Sequence, residues 1–263
     1  MKIEFASKTV IGRKDSNDDR ILIDGKILDN CSHNGFICLP IITAICDGCG
    51  GYKGGNIAAE SVLELLSYEK PGDLADASYL SQVLDNCQHY VMEKRKEMPQ
   101  FSEMCTTIAG LVISESSIIV FHSGDSRVYR HDKWGLARMT KDHSVVQNMI
   151  DDGELLPEQA SNHPRRNVIT RSIGTDGQLP EIYVSHTSIN PGEKYLLCSD
   201  GLWEYVDDTQ INRLLGQNNN IQQVVDELLE LALKQGADDN ISICICSREG
   251  ATDIQDDKPF ILD

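Results

Sequence analysis

The 263-residue chain has no uncharged apolar stretch approaching the ~20 residues that a membrane-spanning helix needs. Its longest such segment, Gly35 to Cys46, is too short to cross a bilayer and reads instead as a buried strand. Nothing in the first thirty residues resembles a cleavable leader, because Lys2, Glu4, Lys8, Arg13 and Lys14 interrupt every early apolar run. Positive charge is scarce: 24 Lys and Arg stand against 41 Asp and Glu, a net charge of −17. That balance argues against nucleic acid or an anionic membrane as partner, since both want excess Lys and Arg. No internal repeat, Pro-rich linker or low-complexity tract divides the chain. The cysteines number nine, an odd count, and Cys46, Cys198, Cys244 and Cys246 lie inside apolar runs. Reduced, buried thiols have that pattern, so the expected compartment is the cytoplasm.

Apolar, β-rich runs occur at 2–10, 36–46, 106–113, 117–122, 127–130, 181–187, 195–199 and 241–247. Helical periodicity appears at 55–67, 80–98, 144–151, 209–215 and 221–234. Strands and helices cluster rather than alternate one for one, which predicts a layered α+β fold over a doubly wound parallel sheet. Two mainly antiparallel sheets packed face to face and flanked by helices, a four-layer α/β/β/α sandwich, would use all of these elements. Residues 1–248 are expected to form one domain and 249–263 an acidic tail.

Carboxylates fall where the apolar strands end. Ile41–Cys46 runs into Asp47-Gly48, Tyr195–Ser199 into Asp200-Gly201, and Ile118–Ser123 into Gly124-Asp125, while Asp238-Asp239-Asn240 precedes the strand at Ile241. Carboxylates on one rim of a rigid sheet suit a hard divalent cation, which would offset their mutual repulsion. Asp-Gly is also a common turn dipeptide. It occurs five times, and Asp24, Asp152 and Asp176 read as turns. For Asp47 and Asp200, strand position alone leaves the turn and metal readings both open.

Read in order, the segments resemble the metal-dependent protein phosphatases of the 2C type. They are Asn17-Asp18-Asp19, Asp47-Gly48-Cys49-Gly50-Gly51, Thr106-Thr107, Gly124-Asp125-Ser126-Arg127, Asp142-His143-Ser144, Ser199-Asp200-Gly201 and Asp239-Asn240. The segments 163–167 and 170–174 also match that family's pattern, and the compact spacing resembles its bacterial branch. The resemblance implies a β-sandwich with two Mg²⁺ or Mn²⁺ ions at one edge, and in some members a third. It implies that Asp47 bridges both ions, that the Gly48 carbonyl binds one, and that Asp200 and Asp239 bind the other. Asp18 and Asp19 would contact an ion or its waters, Asp125 would serve the third ion, and Asn240 and His143 would support the ligands. The implied reaction is hydrolysis of phosphoserine and phosphothreonine in proteins by direct attack of a metal-bridging water or hydroxide. The implied setting is a cytoplasmic monomer opposing a Ser/Thr kinase. No Cys-x5-Arg loop is present, so a cysteine nucleophile is excluded. The alternative is a catalytically weak regulatory module of the same fold, acting on one partner.

Three departures from the family pattern bear on the chemistry. The position of the phosphate-binding Arg is held by Lys14, with Arg13 one residue earlier, and Lys supplies charge without the bidentate fork. The acidic pair is Asp18-Asp19 where Glu-Asp is common. Cys46 and Cys49 form a Cys-x-x-Cys, but Cys46 is expected in the core, leaving Cys49 alone in the metal loop. His122 reads as core, and Arg165 and Arg166 lie in the segment that forms a flap in that family.

Overall fold

The computed structural model describes residues 1–49, 53–175, 179–217 and 220–248. The expected acidic tail at 249–263, Gly50 and Gly51 of the metal loop, and the Asp176 turn lie outside the described residues. Among the described residues, twelve strands form two six-stranded sheets. One sheet runs β4 (Ser32–Cys38), β1 (Lys2–Val10), β12 (Ile241–Ser247), β11 (Lys194–Cys198), β8 (Arg127–Asp132), β9 (Gly135–Arg138). The other runs β10 (Glu181–Ser185), β7 (Ile118–Ser123), β6 (Ile108–Ile113), β5 (Ile41–Asp47), β2 (Asp19–Ile23), β3 (Lys26–Leu28). Every pairing is antiparallel.

Side-chain alternation builds the layers. In β5, Ile41 and Ile45 enter the layer between the sheets, while Ile42, Ala44 and Cys46 face helices α1 (Gly55–Tyr68) and α2 (Ala77–Glu97). In β12, Cys244 and Cys246 fill the middle layer, while Ile241, Ile243 and Ile245 meet α4 (Asp200–Trp203), α5 (Asp208–Gln217) and α6 (Ile221–Lys234). Both faces of the central strands are thus covered, which is why they read as continuous apolar runs. The four-layer α/β/β/α sandwich expected from the sequence is the observed architecture. Asp76 caps α2, accepting from the backbone N–H groups of Ser78 and Tyr79, and Asn220 caps α6.

Two strand expectations are corrected. The single strand over 36–46 is two, β4 and β5, because Pro40 has no N–H to continue a ladder. β4 alternates between exposed and half-buried positions as an edge strand, and only β5 is buried. A hairpin of β2 and β3 occupies 19–28, where charged Asp19 and Arg20 hid a buried strand.

The middle layer generates a stability prediction. Ile45 is fully buried there, so Ile45→Ala should lower unfolding stability by ~2–5 kcal/mol, measured as the shift in urea midpoint at constant slope.

Candidate metal and phosphate site

Antiparallel pairing brings the carboxylates to one edge. Asp19 opens β2 and is the cross-strand partner of Asp47, the last residue of β5. Asp125 lies in the turn between β7 and β8. Asp200 is the first residue of α4, so the apolar run before it ends in a helix rather than a hairpin. Asp239 immediately precedes β12.

Their crowding is visible in their acidity. Burial first, then the charges of Asp19, Asp200, Asp125 and Asp239, holds Asp47 well above the usual carboxylate range. Burial, then Asp125, Asp239, Glu204 and Asp19, does the same to Asp200. Burial pushes Asp19 up to about 6, although hydrogen bonds from Ser242 and Ser199 oppose the shift. Asp125 is pushed up to about 7 by burial and then by Asp142. Carboxylates this close, with few cations among them, form the hard oxygen donor set that Mg²⁺ or Mn²⁺ takes. The nearest compensating cation is Lys14, whose Nζ lies 3.0 Å from Asp239 Oδ2. Arg13 and Lys14 are both exposed. Asp18 is half-buried; its backbone N–H donates to Asn240 Oδ1 at 2.8 Å and its carboxylate accepts from Ser16 Oγ at 3.3 Å.

A polar scaffold holds the carboxylates against their repulsion. The Asp47 carbonyl accepts from Thr107 N–H at 2.8 Å and Thr106 Oγ1 at 2.9 Å, and Asp47 N–H donates to Thr107 Oγ1 at 3.2 Å. Ser199 Oγ donates to Asp19 Oδ2 at 2.8 Å. Asn240 is the clasp of the acidic-pair loop: its Oδ1 accepts from Asp18 N–H, and its Nδ2 donates to the Ile11 and Ser16 carbonyls. Trp203 Nε1 donates to the Asp125 carbonyl at 3.0 Å. Arg127 stacks 3.5 Å from the Trp203 ring and grips Asp142 with two bonds of 2.9 and 2.6 Å.

The two kinds of Asp-Gly separate here. After Asp24 and Asp152, Gly25 and Gly153 have φ of +66° and +73°, and a Cβ on either would meet nothing within 4 Å, as in a turn. A Cβ on Gly48 would lie 2.3 Å from the Gly55 backbone, and one on Gly201 1.9 Å from the Asn240 carbonyl. These two glycines serve close approach of neighbouring segments. Sequence reasoning missed Ser199, Trp203 and Glu204 as individual contributors, and only the motif position of Ser199 could have pointed to it.

His122, His143 and Glu181 place a nitrogen or oxygen each within 4.8 Å of one another. Gly124 N–H donates to His143 Nδ1 at 3.2 Å, so the neutral ring carries its proton on Nε2, the atom facing Glu181 Oε1 3.3 Å away. That nitrogen has no lone pair to offer a metal. Burial lowers both histidines, His122 to about 4, and Glu181 is held by Arg171 at 2.8 Å. The trio therefore belongs to the protein's packing, with His143 fixing the backbone of Gly124 beside Asp125.

Beside the carboxylates lies a cleft of about 680 Å³ lined in part by Arg138, Gln147, Arg166, Trp203 and Glu204. Arg166 Nε approaches Glu204 Oε1 to 3.8 Å across it. Arg165 is exposed, with Nη2 3.7 Å from Met149 Sδ.

The raised carboxylates fix a pH dependence. A folded pKa above the unfolded value means that the native state binds more protons, so stability is greatest below ~4 and falls as pH rises. With chelator present, stability should decline from about pH 4 through the folded values of about 6 for Asp19 and about 7 for Asp125. Saturating Mg²⁺ or Mn²⁺ should flatten that slope, as melting temperatures across pH with and without the ion will show.

The profile of the protein phosphatase 2C family matches residues 17–242. The serine/threonine phosphatase stp of Listeria monocytogenes is 30% identical over 217 residues, spanning 79% of this chain and 84% of that protein. The crystal structure of the serine/threonine phosphatase Stp1 from Staphylococcus aureus superposes with a TM-score of 0.82 at 28% identity, covering 93% of this chain and 95% of that one. The catalytic domain of the phosphatase PstP, in complex with two manganese ions, superposes at 0.77 with 25% identity over 94% of this chain and 98% of that one. With the ordered carboxylates at one edge of the sandwich and this profile over most of its length, the chain belongs to the protein phosphatase 2C family.

Proposed function

We propose that the chain is a metal-dependent hydrolase of phosphoserine and phosphothreonine in proteins, with the 1–248 unit as its catalytic domain. The observation that carries the reading is the convergence of Asp19, Asp47, Asp125, Asp200 and Asp239 at one edge, where burial and then neighbouring aspartate charges hold Asp47 and Asp200 well above the usual carboxylate range. Asp47, the Gly48 carbonyl, Asp200 and Asp239 would hold two Mg²⁺ or Mn²⁺ ions, with Asp125 shared toward a third. When bound, the ions would supply an activated water and neutralise phosphate charge.

The protein's own groups do the rest. Asp19, fastened by Ser199, keeps one carboxylate oriented beneath the pair. Asp18 sits half-buried at the mouth, where its short side chain would reach an ion through water. Asn240 keeps that loop closed, and the Thr106-Thr107 pair keeps the Asp47 backbone from yielding to repulsion. Lys14 already stands at the carboxylates, which favours it over Arg13 for the incoming phosphate. Arg166, across the 680 Å³ cleft from Glu204, is placed to meet residues flanking the phosphorylated one. The remaining proposals are a cytoplasmic monomer and a Ser/Thr kinase as its antagonist.

Hydrolysis of a phosphothreonine peptide with Mn²⁺, with and without chelator, tests the reading. Asp200→Asn should lower kcat/KM by at least ~100-fold; Mn²⁺-independent turnover or undiminished activity of the variant would sink it. A second experiment separates the basic pair. Lys14→Ala should raise KM for the peptide about tenfold and Arg13→Ala much less, and the reverse order would give the phosphate to Arg13.

A further inference from the structure

Five cysteines outside the site, Cys46, Cys87, Cys198, Cys244 and Cys246, are free and buried, and Cys31 and Cys38 are free and exposed. Cys49 and Cys105 are different: they are disulfide-bonded, with Cα atoms 5.5 Å apart and a sequence separation of 56. The Cα spacing lies well inside the range a disulfide needs. The pairing corrects the sequence expectation that Cys49 stands alone in the metal loop.

The bridge lies at a sensitive place. Cys49 follows Gly48 in the metal loop, and Cys105 precedes the Thr106-Thr107 pair that holds Asp47. The two segments run antiparallel, with Gly48 bridged to Thr106 and Cys49 N–H donating to the Cys105 carbonyl at 2.9 Å. Hydrogen bonds alone secure the Asp47 side of this crossing, and the sulfur link ties the loop beyond Gly48. The two sulfurs also differ in access. Cys49 is half-buried, whereas Cys105 is 2% exposed.

We propose that Cys49 and Cys105 form a reversible thiol–disulfide site, oxidised by a low-molecular-weight disulfide and reduced by a dithiol, that tightens and loosens the metal loop. The Cys49 thiolate, the accessible one, attacks a sulfur of the small disulfide, forming a mixed disulfide and releasing one small thiolate. The Cys105 thiolate then attacks the Cys49 sulfur, closing the protein bridge and releasing the second small thiol. The protein loses two electrons and two protons, which the small disulfide gains as two thiols. Reduction runs the same steps backward, with the dithiol ending as a disulfide. The bridged loop is held in register before an ion arrives, so less ordering is left to binding. The coupling to metal rests on the ion-binding reading of Asp47 and Gly48, whereas formation of the bridge does not.

The test uses the full chain carrying Cys31→Ser and Cys38→Ser, which removes the exposed thiols, equilibrated with oxidised or reduced glutathione and then freed of it. Peptide mapping without reductant should show the 49 and 105 peptides joined only in the oxidised sample. Calorimetric titration should show Mn²⁺ bound about tenfold more tightly by the bridged form. Adding Cys105→Ser or, independently, Cys49→Ser should abolish both the link and the redox dependence. Free thiols at both positions in oxidised glutathione, or equal Mn²⁺ affinity of the bridged and reduced forms, would overturn the proposal. Asp200→Asn separates the two readings. It should form the bridge normally while losing Mn²⁺, and intact Mn²⁺ binding there would overturn the metal assignment and leave the bridge standing.

Discussion

Like-charge repulsion among buried carboxylates is the constraint around which this molecule is organised. Asp19, Asp47, Asp125 and Asp200 sit where burial already disfavours their charged forms, and neighbouring carboxylates add to the penalty of each. Left to side-chain freedom, such groups would swing apart into water. They stay together because they issue from strand and helix ends that two packed sheets hold rigid. The edge is thus pre-organised at a cost in stability, recovered only when a cation joins it.

The polar scaffold explains why so many motif residues are not themselves carboxylates. Asn17 donates to Thr9 and accepts from Asp19 N–H, fixing the turn into β2. Ser126 meets Thr107 at 2.8 Å, joining the Asp125 turn to the Asp47 clamp. Arg127 and Asp142 are a buried pair whose bonds run from β8 to the segment that follows β9, and the Trp203 ring covers the guanidinium. Leaving one member of such a pair without the other would strand a buried charge, so the pair acts as a unit. Gly48 and Gly201 complete the scaffold by letting backbones touch. The Cys49–Cys105 bridge belongs to the same framework, a covalent tie laid over the hydrogen-bonded crossing of the metal loop and the threonine pair.

Legibility in the sequence followed the local strength of each signal. Strands covered on both faces, such as β6 and β12, announced themselves as unbroken apolar runs, and α6 declared itself by periodicity. The β2–β3 hairpin was hidden because the buried start of β2 carries two charged residues, Asp19, whose partner Ser199 lies far away in the chain, and Arg20. The split at Pro40 was hidden inside an otherwise uniform apolar segment. The role of Asp200 as the first residue of a helix, rather than the last of a strand, depends on packing of Gly201 against Asn240 and leaves no local trace.

By itself the sequence determined the element types, the layered class and the identity of the acidic residues, because propensity, period-two burial and ordered motifs are local properties. It could not decide whether the Asp-Gly at Asp47 and at Asp200 is a free turn. That choice turned on whether the following glycine bends freely, as Gly25 and Gly153 do, or is pressed against another segment, as Gly48 and Gly201 are. Nor could it pair Cys49 with Cys105, since contact between residues so distant in sequence exists only once β5 and β6 lie side by side. Convergence of charge and sulfur is a property of the packed sheets, and only the tertiary structure decided it.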